Sequence, residues 1–240
     1  MDRNTLLHQI QSNINIHGYH ITSVAGTLLP RFVYTIGCTD LFGADLVFCG
    51  GEAYSQDDMI RIIKEMVGAL KNGAQWKNLT LQVDNLGSFS LSEVDNSWSK
   101  LITLGIFDYY KKNDIRVLQI SPGQDRLTLD IPDMTKPFNV ESEPVWQWLI
   151  KEWNYPLPPT STAIINVEVL YGEKATQIIR WEHEEWEIFS KPVDNVPKDD
   201  MRAMPLAILL GIDESLQAVI HLQTGDGLWR DKGELPWNEW

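Results

Sequence analysis

A chain of 240 residues, 43% hydrophobic and 10% aromatic, carries enough apolar surface for one large or two small cores, which excludes wholesale disorder. It contains no run of about 18 apolar residues, which excludes a transmembrane helix. Its net charge of −13 opposes nonspecific binding to nucleic acid or to an anionic membrane, whose phosphates it would repel.

Met1 to His8 lack the basic start and continuous apolar stretch of a secretion signal, which predicts a cytoplasmic protein. A first helix is expected with Asn4 as its cap and Leu6, Leu7, Ile10 and Ile14 on one face. Tyr19 to Val24 and Arg31 to Ile36 read as strands, with Gly26 and Pro30 in the loop between them. Asp45 to Cys49 is a short apolar strand that stops at Gly50-Gly51. From Gln56 to Asn72, the positions Met59, Ile62, Ile63, Met66, Val67 and Leu70 form one helical stripe, capped by Ser55 and ended by Asn72-Gly73. Leu79 to Val83 and Ser88 to Leu91 are strands joined by an Asp84-to-Gly87 turn; a short helix over Trp98 to Leu104 and a strand over Ile115 to Ile120 follow. The turn-rich Ile131 to Pro144 leads to a helix capped by Ser142 that bears Trp146, Leu149, Ile150 and Trp153.

The run Tyr155-Pro156-Leu157-Pro158-Pro159 predicts a boundary, so the domains are 1–140 and 160–240, with a Trp- and Pro-rich linker over 141–159. Beyond it, Ala163 to Leu170, Thr176 to Trp181 and Glu185 to Phe189 read as strands. Pro205 to Leu210 reads as a helix, Asp213 caps another, and Gly225 to Asp231 is a last strand over which Trp237 and Trp240 fold back. The fold class is α+β, each domain a mostly antiparallel sheet packed with a few helices.

The first half resembles the bacterial family called domain of unknown function 4262. The matching residues are His17-Gly18-Tyr19-His20, Phe32 to Gly37, Asp45-Leu46-Val47 and Arg116 to Ile120, within residues 5–138. Tyr19 stands where that family usually has Trp, Ala44-Asp45-Leu46 where it has Pro-Glu-Leu, and Ser121-Pro122-Gly123 where it has Trp-Pro-Asp. The second half is similar to an uncharacterised companion module through Trp186 to Phe189, Met204-Pro205-Leu206, Ile212 to Leu216 and Trp229-Arg230. The resemblance implies an α+β fold and no established reaction.

Two places carry candidate chemistry. Paired strands would bring Tyr34, Thr35 and Asp45 toward His17, a set suited to acid–base chemistry or a polar ligand pocket. The competing expectation there is a buried hydrogen-bond network that fixes strand register. Further on, Trp181, Glu182, Glu184, Glu185 and Trp186 form an acidic aromatic hairpin suited to a basic protein partner. Residues 160–240 hold seven Lys/Arg against fifteen Asp/Glu, a net of −8, and eight of the ten tryptophans lie from Trp146 onward.

Other motifs point to nothing specific. His17 and His20 with Cys38 and Cys49 lack metal-site spacing; buried free thiols, no metal and no cofactor are expected. Gly50-Gly51 has no Walker spacing, and Glu52, Asp57 and Asp58 would repel phosphate, so it reads as a tight turn. No G-x-S-x-G elbow, kinase set or His-Glu-x-x-His motif occurs. The leading expectation is a cytosolic, non-catalytic binding protein of immunity or antitoxin kind with a basic protein partner. The alternative is an enzyme or small-ligand sensor using the first-half pocket.

Overall fold

The computed structural model of the chain describes residues 3–234 and 236–240. The side chain of Asn4 lies outside the described residues, and with it the expected first cap.

Two six-stranded sheets organise the chain. The first takes β1 (His20–Val24), β2 (Phe32–Ile36), β3 (Asp45–Cys49), β4 (Thr80–Val83), β5 (Gly87–Glu93) and β6 (Val117–Pro122) in the spatial order β1-β2-β3-β6-β5-β4. The second takes β7 (Thr162–Asn166), β8 (Gln177–Arg180), β9 (Glu185–Phe189), β10 (Met201–Pro205), β11 (Gly227–Trp229) and β12 (Asn238–Glu239) in the order β10-β7-β9-β8-β11-β12. Within each sheet one neighbouring pair is parallel, β3 with β6 and β7 with β9, and the other pairs are antiparallel. The architecture is α+β, as the element pattern implied.

Strand side chains alternate between faces, so each face of the first sheet needs its own cover. Val33 of β2 enters a core closed by α3 (Gln56–Lys71), whose Met59, Ile62, Ile63, Met66, Val67 and Leu70 are all buried. Ser55 and Asp58 form a capping box at its start, each side chain accepting the other's backbone N–H. Phe32, Tyr34 and Ile36 enter the opposite core, with Ile10 of α1 (Arg3–His17), Trp98 and Ile102 of α4 (Asn96–Ile102) and Ile106 of α5 (Leu104–Tyr110).

That second core does not stop at the first sheet. It continues through Val145 and Trp146 to Ile165, Ile178 and Ile188 of the second sheet and to α6 (Leu206–Ile212). The segment expected to link the halves therefore supplies core. Its Pro144–Leu149 turn is a 3-10 helix, Trp146 is fully buried, and the Trp146 indole N–H donates to the Asp130 carbonyl at 2.9 Å. Trp148, Trp153 and Tyr155 pack ring against ring, with centroids 4.9 to 5.9 Å apart. Ser142 does not cap this helix; its hydroxyl donates to the Asn139 carbonyl. Gly211 of α6 lets the turn come close, since a Cβ there would lie 2.6 Å from Val145 Cα.

Polar contacts complete the junction. Leu129 N–H donates to Leu170 O at 2.8 Å, and the Arg202 guanidinium donates to Ala53 O at 3.1 and 3.2 Å. The Gly50-Gly51 turn has φ of +69° and +76°, and a Cβ on Gly50 would meet Asp130 O at 2.2 Å. Beside it, Glu52 accepts from the Arg31 amide (2.6 Å) and guanidinium (2.9 Å), while Asp130 Oδ2 accepts from Glu52 N–H at 2.9 Å.

Several elements were not announced by the sequence, β12 and the short 3-10 helices among them. α2 (Cys38–Phe42) is too short to show a period, α5 contains Gly105, and β10 ends in Pro205. Pro205 is tolerated because β10 is an edge strand.

Candidate binding groove

Asp45 opens β3, and its carboxylate is fully buried. α2 begins after Gly37, which has φ of 109° and offers no side-chain cap. Asp45 supplies that cap from the neighbouring strand. Its Oδ1 accepts from Cys38 N–H at 3.0 Å and from Thr35 Oγ1 at 2.8 Å; its Oδ2 accepts from Thr39 Oγ1 at 2.7 Å and Thr39 N–H at 3.4 Å. Thr35 Oγ1 then accepts from Leu46 N–H at 2.9 Å, which ties β2 to β3. The free amides of a helix start favour a carboxylate, yet burial outweighs the bonds and pushes the Asp45 carboxyl above its usual range.

Tyr34 follows the strand alternation to the other face. Its ring lies 6.3 Å from Phe32, and its hydroxyl bonds the Thr22 side chain and the Gly105 backbone. His17 ends α1 exposed, beside a shallow depression of about 660 Å3 that it shares with Tyr19, His20 and Lys64. The four side chains expected around one pocket thus divide three ways, with only Thr35 and Asp45 in contact. Strand alternation separates Tyr34 from Thr35 on β2, and His17 stands apart at the end of α1. Among the described residues no three His, Cys, Asp or Glu side chains gather as metal ligands. Cys38 and Cys49 are buried free thiols, and burial, assisted by Asp45, pushes the Cys38 thiol up to about 12.

The second half divides its tryptophans between core and surface. Trp186, on the inner face of β9 with Ile188, is 1% exposed, and the Arg180 guanidinium lies 4.7 Å over its ring. Carbonyls of Leu222 (2.6 Å) and His183 (2.7 Å) hold that guanidinium in place. Trp186 is therefore a core residue and not the partner contact expected of it. Trp181 is 53% exposed, and Glu182, Glu184 and Glu185 are exposed beside it.

Trp181 forms one wall of a groove of about 590 Å3, with Trp237 and Trp240 as further walls and His221, Asp226 and Glu239 as polar lining. Register builds it. Gly227 of β11 pairs with Ile179 of β8, and Trp240, one residue past β12, donates its N–H to Gly227 O at 3.2 Å. Lacking a side chain, Gly227 lets the Trp240 indole lie over it; a Cβ there would be 3.3 Å from the ring. Trp240 is nevertheless 63% exposed. Trp237 is anchored, with the Arg230 guanidinium 4.0 Å over its ring and its N–H donating to Ser215 O at 3.0 Å. Asp226 Oδ2 accepts from Gln223 N–H at 2.9 Å. The Glu239 carboxylate makes no hydrogen bond or ion pair among the described residues.

Chemically the groove offers indole faces and carboxylates, which attract cations and repel anions. The return of Trp237 and Trp240 was expected from the sequence; Asp226 and Glu239 as groove lining were not. The Trp237-Asn238-Glu239-Trp240 run was the available signal, an acid framed by aromatic residues.

Fold and site together define a two-sheet α+β protein with an acidic, indole-lined groove in its second half. Residues 13–122, which include the first sheet, match the family model described as Domain of unknown function (DUF4262), and to that extent the chain is similar to that family. The match ends at Pro122, the last residue of β6, and leaves the groove outside it. No curated protein and no solved structure matches the chain. No helix among the described residues is long and apolar enough to cross a membrane.

Proposed function

We propose that this is a cytoplasmic, non-catalytic binding protein of the immunity or antitoxin kind, which engages a basic protein through the groove and the adjoining acidic hairpin. The observation that carries this reading is the pair of half-exposed indoles, Trp181 and Trp240, lining one groove with Asp226 and Glu239. Large aromatic side chains held in place lose little entropy on binding, and a net of −8 over residues 160–240 draws a positive partner by long-range attraction. The buried thiols Cys38 and Cys49 suit a reducing compartment. The Thr35–Asp45 network supports a binding rather than a catalytic role, because its acceptors are taken by internal donors.

The test is affinity capture from the native host with three baits: the unaltered chain, Trp181→Ala with Trp240→Ala, and Glu182→Gln with Glu184→Gln and Glu185→Gln. A basic protein held by the first and lost from the other two is the expected result. An acidic partner, a basic one held equally by all three, or none at all contradicts the proposal.

A further inference from the structure

We infer that the group received by the groove is an arginine side chain of the partner, stacked on the free face of Trp240. This rests on the basic-partner reading and narrows it.

The second half already uses this pairing twice within its own fold: Arg180 lies over Trp186 at 4.7 Å and Arg230 over Trp237 at 4.0 Å. Trp240 repeats one half of the arrangement. Its indole is backed by Gly227 on one side, leaving the residue 63% exposed, and among the described residues no cation lies over it. Glu239, the residue before Trp240, lines the same groove, as does Asp226, and among the described residues the Glu239 carboxylate has no hydrogen-bond or ion-pair partner.

A guanidinium satisfies both features at once. Its flat, weakly hydrated face stacks on an indole while its edge donates two parallel hydrogen bonds to a carboxylate. An ammonium can pair with the carboxylate, but it is a compact, strongly hydrated charge that gains less from the ring. A quaternary ammonium could use the ring but has no N–H for Glu239, and an uncharged group would leave both carboxylates without a counter-charge.

Isothermal titration of the full chain with two end-blocked peptides of equal charge, one alternating glycine with arginine and the other glycine with lysine, decides the matter. The arginine peptide should bind roughly three- to tenfold more tightly. Trp240→Ala should erase that preference, and Glu239→Gln, which keeps the indole, should weaken the arginine peptide roughly threefold or more. Equal binding of the two peptides, or tighter binding of lysine, overturns the arginine inference and leaves the basic-partner reading standing. A preference that survives Trp240→Ala places the contact elsewhere and also overturns it. If neither peptide binds at millimolar concentration, both readings fall.

Discussion

Replacing Asp45 tests whether the most suggestive residue of the first half is a cap or a functional group. Asp45→Ala removes the acceptors of four donors, of which Thr35 Oγ1 and Cys38 N–H are buried and Thr39 N–H and Thr39 Oγ1 are part-buried. Each orphaned buried donor costs about 1–3 kcal/mol, and the relief of no longer burying a charge offsets part of the sum. A net loss of about 3–5 kcal/mol follows. Asp45→Asn keeps the shape and one oxygen. Its amide can replace Oδ2, where the Thr39 hydroxyl can turn to accept; the hydrogen bond given up is the long one from Thr39 N–H, 3.4 Å. The expected loss there is about 1–2 kcal/mol. Urea unfolding at neutral pH reads both values, with an unchanged slope confirming that the midpoints report stability. An Asp45→Ala chain as stable as the parent would refute the capping argument. So would one that loses partner binding while its stability is untouched.

Other expectations follow from the same coordinates. Trp186→Ala should cost about 3–5 kcal/mol, whereas Trp181→Ala should change stability by no more than about 0.5 kcal/mol; equal losses would contradict the division between core and surface. Gly211→Ala adds a helix-favouring methyl group, but contacts of 2.6 Å to Val145 Cα and 2.8 Å to Pro144 O should outweigh it by about 2–3 kcal/mol; thermal unfolding checks this, and a stabilised variant would show the junction is loose. Asp130 bonds Glu52 N–H through Oδ2 while its Oδ1 closes no hydrogen bond among the described residues, and burial pushes its carboxyl above the usual range. Because the folded value is raised, the cost of ionising Asp130 is present in full above that value and is relieved as pH falls through it toward the ordinary 3.8. Asp130→Asn should therefore be as stable as the parent, or more so by about 1 kcal/mol, at neutral pH, with the difference moving in the parent's favour in acid; a constant difference would contradict the assignment.

Local signals carried much of the fold. α3 was legible because six apolar positions make one stripe and Ser55 stands before it, and β2 because its flanking turns are marked. The role of Asp45 was not, since it acts on a one-turn helix from a residue that follows the helix in sequence. The core role of Val145, Trp146 and Leu157 was hidden by the prolines of the 141–159 segment, which read as a spacer. Alternation alone separates Trp186 and Ile188 from the outward Glu185 and Glu187, so the core role of Trp186 was within reach of the sequence. The Trp240 platform was not, because it depends on the register that sets Gly227 of β11 beneath an indole folded back from beyond β12.

Fluorine NMR of the chain labelled with 5-fluorotryptophan asks the central question directly, with the ten indoles assigned by single substitutions. On titration with the arginine peptide, the account predicts that the Trp240 and Trp181 signals move together and saturate, while those of the buried Trp98, Trp146 and Trp186 stay in place. Shifts confined to other tryptophans, or none at saturating peptide, would contradict the claim that this groove meets a basic partner.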